Sequence, residues 1–471
     1  MNGPELAFFT AVTFCAAPVI LVAAALTFVE TVDRDERIDL AAIVGTTAPL
    51  FVSLVVSVLY SATILLPLAW TPTLSQSATS LVVLSVLTIV AAYGRRHFIS
   101  VYRDTINFFR SIRPPKSAVG WLALALVLLA LVQALALPVM ENDALEYAAV
   151  AKYILRQGGL ASYPLLQADP QTGLFAPSSH PPAYHMLLAW GFSLAGTESM
   201  APLRITAVFF IAGTAFLVLR ITRMTAYPGL AVLVLFSTPL FVSMAVSYHI
   251  DAMRLTAFTA GCAITARFVR KPCSRESILI GYILGLAMYS HSIGILAIPL
   301  TGAAFLLLAD VPIRTKLQLG ILCCIVACGV GGLQYVKNLI QFGTPIQDSV
   351  PIFQIEQIDY ESDLRARRDL VTFFDRTIFG VLRGFFELPS FGFTFWAGLG
   401  AAAAAIWRWR GVSLIEQVFW IVVILYFVLN ALSAALGFDL MIKNPRYVMT
   451  LVPLLGCLIA SAASRYIQMR E

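Results

Sequence analysis

Read for hydropathy alone, the chain is a succession of apolar runs, most of them close to a bilayer crossing in length, divided by short polar breaks. A helix needs about 20 apolar residues to span the hydrocarbon core. On that basis about 13 spans are expected, at 5–28, 40–66, 77–93, 118–139, 200–220, 227–247, 250–269, 277–291, 293–309, 318–338, 389–407, 414–436 and 446–464. His291 and Pro299 interrupt the longest apolar stretch and set the boundary near 291. The pattern breaks at length twice, over 140–199 and over 340–388. The first of these loops opens with Glu141-Asn142-Asp143-Ala144-Leu145-Glu146-Tyr147, directly after the apolar run Trp121–Met140. It closes with His180-Pro181-Pro182-Ala183-Tyr184, where the chain turns back toward the membrane. The expected fold class is therefore all-α: a polytopic integral membrane bundle with short juxtamembrane helices on its outer face.

Composition agrees, since 59% of the 471 residues are hydrophobic and only 12% charged, more apolar surface than a soluble core can bury. Charge placement adds orientation. Arg95, Arg96, Arg103, Arg110, Arg113 and Lys116 share one loop, and Arg220, Arg223, Arg267, Arg270, Lys271, Arg314, Lys316, Arg408, Arg410 and Arg465 fall on the same side. That side is expected to be cytoplasmic, with the N-terminus outside, the C-terminus inside, and the loops 140–199 and 340–388 facing the periplasm or exterior. The net charge of +6 is then a topological bias, which argues against a nucleic-acid partner. The first span has neither a basic leader nor a small-residue cleavage site and is expected to be retained. The seven cysteines lie in or beside spans, so no disulfide framework is expected. Cys323, Cys324 and Cys328 read as small-residue helix packing in preference to a metal cluster.

Three parts follow along the chain: a three-span module (1–93), a basic linker (94–117) whose stretch Phe98–Ile112 suits a membrane-surface helix, and a ten-span module (118–471). The first module is expected to pack beside the third without entering its site. In the outer loop, Asn142 caps a helix that carries Asp143 in its first turn. Asp143 and Glu146, three apart, share a face near the positive end of the helix dipole, which keeps carboxylates ionised. Such groups suit a base, although helix capping alone would account for both. His180 stands before a Pro-stiffened turn and is a candidate anion contact. Asp251 and Arg254, in His249-Ile250-Asp251-Ala252-Met253-Arg254, open a span; ionisable residues there are functional suspects by default, and an internal ion pair is the equal alternative. His291 and Arg446 also fall at outer ends of spans, so four of the five histidines (180, 185, 249 and 291) and Arg446 converge on one face.

This order of residues resembles the GT-C superfamily of polytopic glycosyltransferases, in particular the branch of dolichyl-phosphate-mannose-protein mannosyltransferases and aminoarabinose transferases. The resemblance rests on Asp143 with Tyr147 four residues on; on His180-Pro181-Pro182-Ala183-Tyr184; on Asp251 at the head of a span; on Tyr335-Val336-Lys337-Asn338 followed by Phe342-Gly343-Thr344-Pro345; and on Arg446-Tyr447 ahead of Pro453. It covers roughly 118–464. Two departures stand out: Ala144 replaces the acid often found beside the leading Asp, and the first three spans have no counterpart in the simplest members.

The resemblance implies transfer of a sugar, with inversion, from a polyprenyl-phosphate donor to a glycan, lipid or protein acceptor, at the outer face of a bacterial cytoplasmic (inner) membrane. Asp143 would be the general base, with Glu146 and Asp251 as further catalytic acids. Arg446 would hold the donor phosphate, with His180 and His291 as weaker phosphate contacts and Tyr147, Tyr184, Lys337 and Asn338 as substrate contacts. A divalent cation, Mg or Mn, between Asp143 and Glu146 is left open. The rival readings are a lipid-linked-sugar flippase or transporter, which would place charges near the midplane beside broken helices, and an outer-face polysaccharide polymerase or ligase, of which Arg365, Arg367 and Arg368 give a hint.

Overall fold

The computed structural model describes residues 3–29, 34–65, 76–111, 115–139, 142–157, 160, 181–342, 378–407, 411–435 and 445–467, and within them every regular element is a helix. In chain order these are α1 (Gly3–Phe28), α2 (Arg34–Leu65), α3 (Gln76–Ser111), α4 (Ala118–Ala136), α5 (Asn142–Gln157), α6 (Ala183–Ala195) and α7 (Ala201–Ile221). They continue with α8 (Pro228–Phe236), α9 (Pro239–Val246), α10 (Ile250–Arg270), α11 (Ser274–Ser290), α12 (Ser292–Leu308), α13 (Ile313–Gly331) and α14 (Leu333–Phe342). The last are α15 (Ile378–Phe385), a single four-residue turn of helix at Leu388–Phe391, α16 (Thr394–Trp407), α17 (Leu414–Ala435) and α18 (Pro445–Ile467).

Eight of the described helices are long and apolar enough to cross a membrane, or nine if α8 and α9, bent by 73° at Ser237-Thr238, count as one broken span. The remaining stretches expected to span are helices as well, but short or mixed in character. Thus α11 has 17 residues, α12 and α16 are shorter apolar helices, and the expected span 318–338 breaks at Gly332 into α13 and α14. The exception is α10, long enough at 21 residues yet carrying Asp251, Arg254, Arg267 and Arg270.

Its position explains that composition. Every residue of α10 except Arg267 and Arg270 is buried, because α2, α7, α11, α12 and α17 pack around it. A helix sheathed in protein has no lipid-facing stripe to keep apolar, so its polar groups need only find partners inside. They do: Thr256 Oγ1 donates to the Ala252 carbonyl, Thr265 Oγ1 to that of Gly261, and Thr256 meets Thr214 of α7. Gly261 lets α11 approach, since a Cβ there would lie 2.8 Å from Leu284 Cδ2. Gly281 and Gly285 do the same between α11 and α13, where a Cβ would meet the Cys323 and Ala327 carbonyls. Close approach through small residues is the usual device of helix packing in bilayers. Cys323 is buried at this contact, and no group of three or more His, Cys, Asp or Glu residues suited to a metal occurs among the described residues.

α6 lies against α5, α2 and α1 and is buried except at Ser193. Phe9 of α1 meets Trp190 edge-on at 5.4 Å. Ser53 of α2 donates to the Ala183 carbonyl at the head of α6, and Ser53 and Ser57 both hydrogen-bond the Tyr289 hydroxyl of α11. The first spans thus back the helix on which the loop 140–199 returns.

Candidate active site

The site forms where α5, α6, the start of α10 and the start of α18 converge. α5 offers Ala144, Tyr147, Ala148, Val150, Ala151 and Ile154 as buried positions, the three-and-four spacing of a helix laid along a surface. With that face fixed against α6, Asp143 in the first turn points into the gap between α5 and α18. Tyr147, one turn on, is packed edge-on by Tyr184 (5.5 Å) and His185 (5.5 Å) from α6 and by His249 (5.6 Å).

The turn before α10 is held in an unusual conformation. Tyr248 has φ +63°, the single left-handed residue other than glycine among the described residues, a state that costs a bulky side chain of order 1–3 kcal/mol unless its surroundings impose it. Here they do. The Tyr184 hydroxyl donates to the Tyr248 carbonyl at 2.8 Å, and the Tyr248 hydroxyl reaches the Ala134 and Leu137 carbonyls at the end of α4, both at 2.8 Å. The next residue, His249, is thereby delivered inward with its side chain fully buried.

His249 joins two carboxylates. Its Nε2 lies 3.1 Å from Asp143 Oδ2 and its Nδ1 3.1 Å from Asp251 Oδ2. Arg446 Nη1 approaches the same Asp143 oxygen at 2.6 Å. On the far side, Arg254 Nη2 pairs with Asp251 Oδ1 at 2.5 Å and also donates to the Arg446 carbonyl at 2.5 Å. Tyr426 donates to the Tyr447 carbonyl at 2.7 Å, and the Arg254 guanidinium lies 5.6 Å from the Tyr447 ring centroid. Arg446 is therefore anchored through its backbone while its guanidinium reaches out to Asp143.

Exposure grades along this chain of charges. The Asp251 and Arg254 side chains are 3% and 0% exposed, whereas Asp143 and Arg446 are 34% and 31% exposed. The inner members are fixed and the outer pair is open to a ligand. The hydrogen bond from His249, aided by the Arg446 guanidinium and opposed by partial burial, holds the Asp143 carboxyl well below the usual carboxylate range. Burial alone would lower the His249 pKa, but the two flanking carboxylates outweigh it and push it up to about 9. At neutral pH the imidazole is thus a cation lying within ion-pair distance of both acids.

Of the residues singled out from sequence, the fold brings Asp143, Tyr147, Tyr184, Asp251 and Arg446 into one cluster. The His291 ring lies at its edge, 6.1 Å from that of Tyr447, with Nδ1 accepting from the Ile293 amide. Glu146 stands on α5, partly buried. Lys337 and Asn338 form a second group on α14: Lys337 Nζ donates to the Leu160 carbonyl at 2.7 Å, and Gln334 donates to Asn338 Oδ1 at 2.7 Å. His180 and most of the second long loop, including Arg365, Arg367 and Arg368, lie outside the described residues. The central position of His249 was not apparent from the sequence. The available signal was a histidine two residues ahead of Asp251, in extended backbone at the start of a helix, which turns both side chains toward one side.

An acid, an imidazole and an arginine thus converge at one end of the helical bundle. Residues 179–330 match the family model of the dolichyl-phosphate-mannose-protein mannosyltransferases, and this match supports a membrane glycosyltransferase of the GT-C type. It takes in α6 to α12 and most of α13, with Tyr184, His249, Asp251, Arg254 and His291, and leaves Asp143 and Arg446 outside. The chain matches no curated protein and no solved structure.

Proposed function

We propose that the protein transfers a sugar, with inversion, from a polyprenyl-phosphate donor to an acceptor on the outer face of the bacterial inner membrane, with Asp143 as general base. The observation that carries this reading is the part-exposed Asp143–Arg446 pair standing on a buried His249–Asp251–Arg254 support. In the reaction an oxygen or nitrogen of the acceptor attacks the anomeric carbon, its proton passes to Asp143, and the bond from that carbon to the phosphate oxygen breaks. The leaving lipid phosphate is already a stable anion, so cationic donors that hold it as charge builds do the work of an acid.

Arg446 fits that task, and its resting partner gives the site an order of events. A carboxylate bound by two cations is a poor base, because both stabilise the ionised form. When a donor phosphate draws the Arg446 guanidinium away, Asp143 keeps only the His249 bond and gains basicity as the electrophile arrives. His249 fixes the carboxylate's orientation, Asp251 and Arg254 fix His249, and His291 lies beside the phosphate position through Tyr447. Tyr147 and Tyr184, both buried, back the site behind Asp143, and Glu146, Lys337 and Asn338 are assigned to the acceptor approach, with His180 a further phosphate contact.

A divalent cation at Asp143 does not suit this arrangement, because the Asp143 oxygen already receives two positively charged donors; no step is assigned to one. Transport is not favoured either. The break between α8 and α9 holds the hydroxyl pair of Thr238 and Thr394 instead of ionisable groups. The test is turnover of a polyprenyl-phosphate sugar by purified protein. Release of lipid phosphate that stops in Asp143→Asn supports the proposal, and release unchanged in that variant would refute it.

A further inference from the structure

The residue that delivers His249 is a tyrosine in a place where glycine would serve the backbone better. α9 ends at Val246 with Ser247 as its cap, and the His249 amide donates back to the Met244 carbonyl at 3.2 Å. Between cap and histidine stands Tyr248, left-handed at φ +63°. Many helices end in this way, and the left-handed position is usually given to glycine, which has no Cβ to strain. The turn itself therefore gains nothing from a phenol. Tyr248 is 1% exposed, so what it adds lies inside the bundle.

Three elements meet on this residue. Its hydroxyl reaches the Ala134 and Leu137 carbonyls, both at 2.8 Å, at the end of α4. The Ala134 carbonyl belongs to the last turn of that helix, where carbonyls lack a partner within the helix, and from Leu137 the chain runs six residues to Asp143. Arg204 of α7 approaches the same Leu137 carbonyl at 3.5 Å. The Tyr248 carbonyl accepts from Tyr184 of α6, the helix against which α5 and its Asp143 are laid. Its own peptide leads into His249 and α10. The Tyr147 ring, one turn past Asp143, completes the circuit by meeting the rings of both Tyr184 and His249.

We infer that Tyr248 is a positioning residue for the proposed transfer: by holding the ends of α4 and α6 against the start of α10, it sets Asp143 beside His249. Being buried, it acts through that pair and not on a substrate. Its effect on turnover rests on Asp143 being the base, whereas its hold on the Asp143–His249 pair does not.

Full-length protein is purified as wild type, Tyr248→Phe, Tyr184→Phe, and Asp143→Asn with and without Tyr248→Phe, and release of lipid phosphate from a polyprenyl-phosphate mannose is followed. Tyr248→Phe keeps the packed ring and removes only the bonds to α4. Its kcat falls about tenfold, within the roughly hundredfold that a displacement of about 1 Å can cost. KM for the donor stays within about twofold, as for an interaction that acts on the chemical step, because Arg254 and Tyr426 hold the backbone at Arg446 and Tyr447 independently. Tyr184→Phe, which frees the Tyr248 carbonyl, lowers kcat about fivefold, the worth of one hydrogen bond. In Asp143→Asn the added Tyr248→Phe changes turnover by less than about twofold, since the pair it positions is already disabled. Undiminished kcat in a folded Tyr248→Phe overturns the inference, and so does an equal loss in both backgrounds, which would make Tyr248 a general support of the fold.

A second readout needs no turnover: NMR of isotope-labelled histidine, with the His249 signal identified by its loss in His249→Gln. His249 faces Asp143 of α5 and Arg446 of α18 through Nε2, Asp251 of α10 through Nδ1, and the Tyr147 ring. Its titration, near 9 in wild type, moves down toward the ordinary histidine value in Asp143→Asn and also in Tyr248→Phe. A His249 titration unmoved by Tyr248→Phe shows that Tyr248 does not hold the pair and overturns the inference. A shift in Tyr248→Phe together with full turnover in Asp143→Asn upholds the hold on the pair and removes Asp143 as base, so the two failures are told apart.

Discussion

At one end of α10 a histidine and two arginines share two carboxylates in an open chain; at the other, Arg267 grips Glu276 through two nitrogens and is satisfied. Both ends hold several charges beside a membrane bundle, yet they are wired differently. The Arg267–Glu276 pair is matched and nearly closed to solvent, at 13% and 4% exposure, and such pairs serve to keep helices in place. At the other end a single Asp143 oxygen takes two donors and the outer pair is about a third exposed, so a ligand can claim one donor without dismantling the rest. An over-supplied carboxylate at an open edge, on a support too buried to move, is a site in waiting. A saturated pair is a fastener.

Mutation can break this contrast. The largest expected effect is from Asp143→Asn, which keeps the shape and removes the base. Turnover should fall on the order of 10²–10⁴-fold with normal membrane insertion, since a part-exposed ion pair adds little to stability. Activity near wild type in the purified variant would remove Asp143 from its role. Arg446→Ala comes next: loss of charge-assisted hydrogen bonds to the phosphate, worth about 1.5–3 kcal/mol, should weaken donor binding roughly tenfold to a hundredfold. Arg446→Lys should recover only part of this, because a point charge replaces a planar fork. If Arg446→Ala unfolds the protein and leaves donor affinity intact in what remains folded, Arg446 is an anchor.

Glu276→Gln sharpens the comparison from the other side. It weakens the pair at the far end of α10, and thermal stability should fall by about 1–3 kcal/mol while turnover per folded molecule stays unchanged. A loss of turnover in proportion to that of Asp143→Asn would show that the two ends do not differ in kind. The smallest effect is that of pH. Folding raises the His249 pKa from 6.5 to about 9, so the stabilisation from its charged form is complete below the unfolded value near 6.5 and is lost as pH rises through about 9. Turnover and thermal stability should decline together across that interval, and His249→Gln should flatten the decline. A profile of the same shape in His249→Gln would assign it to another group.

Much of this was legible in the sequence. Each expected apolar stretch corresponds to a helix or a broken pair of helices, because about 20 apolar residues leave the backbone no other way to satisfy itself in lipid. The number able to cross on their own was less legible. α10 passes for a span by length and fails by charge, and only its sheath of five helices explains how it carries an ion pair. In the site, Asp143, Asp251 and Arg446 were marked by their places at ends of spans. What joins them was not, since Asp143 and Arg446 stand 303 residues apart and their contact depends on how α5 and α18 pack. His249 was one of four histidines expected on one face and had no mark of its own. Its position comes from the left-handed turn at Tyr248, pinned by Tyr184 and by the end of α4, and no local pattern in the sequence announces that turn.

The most direct test of the account is the structure of the protein with a polyprenyl phosphate bound. The phosphate is expected beside α18 with the Arg446 guanidinium within hydrogen-bonding distance of its oxygens. Asp143 should then be parted from Arg446 and still joined to His249, with the Asp251–Arg254 pair unmoved. A phosphate bound elsewhere, with the Asp143–Arg446 pair intact, would contradict the account at its centre.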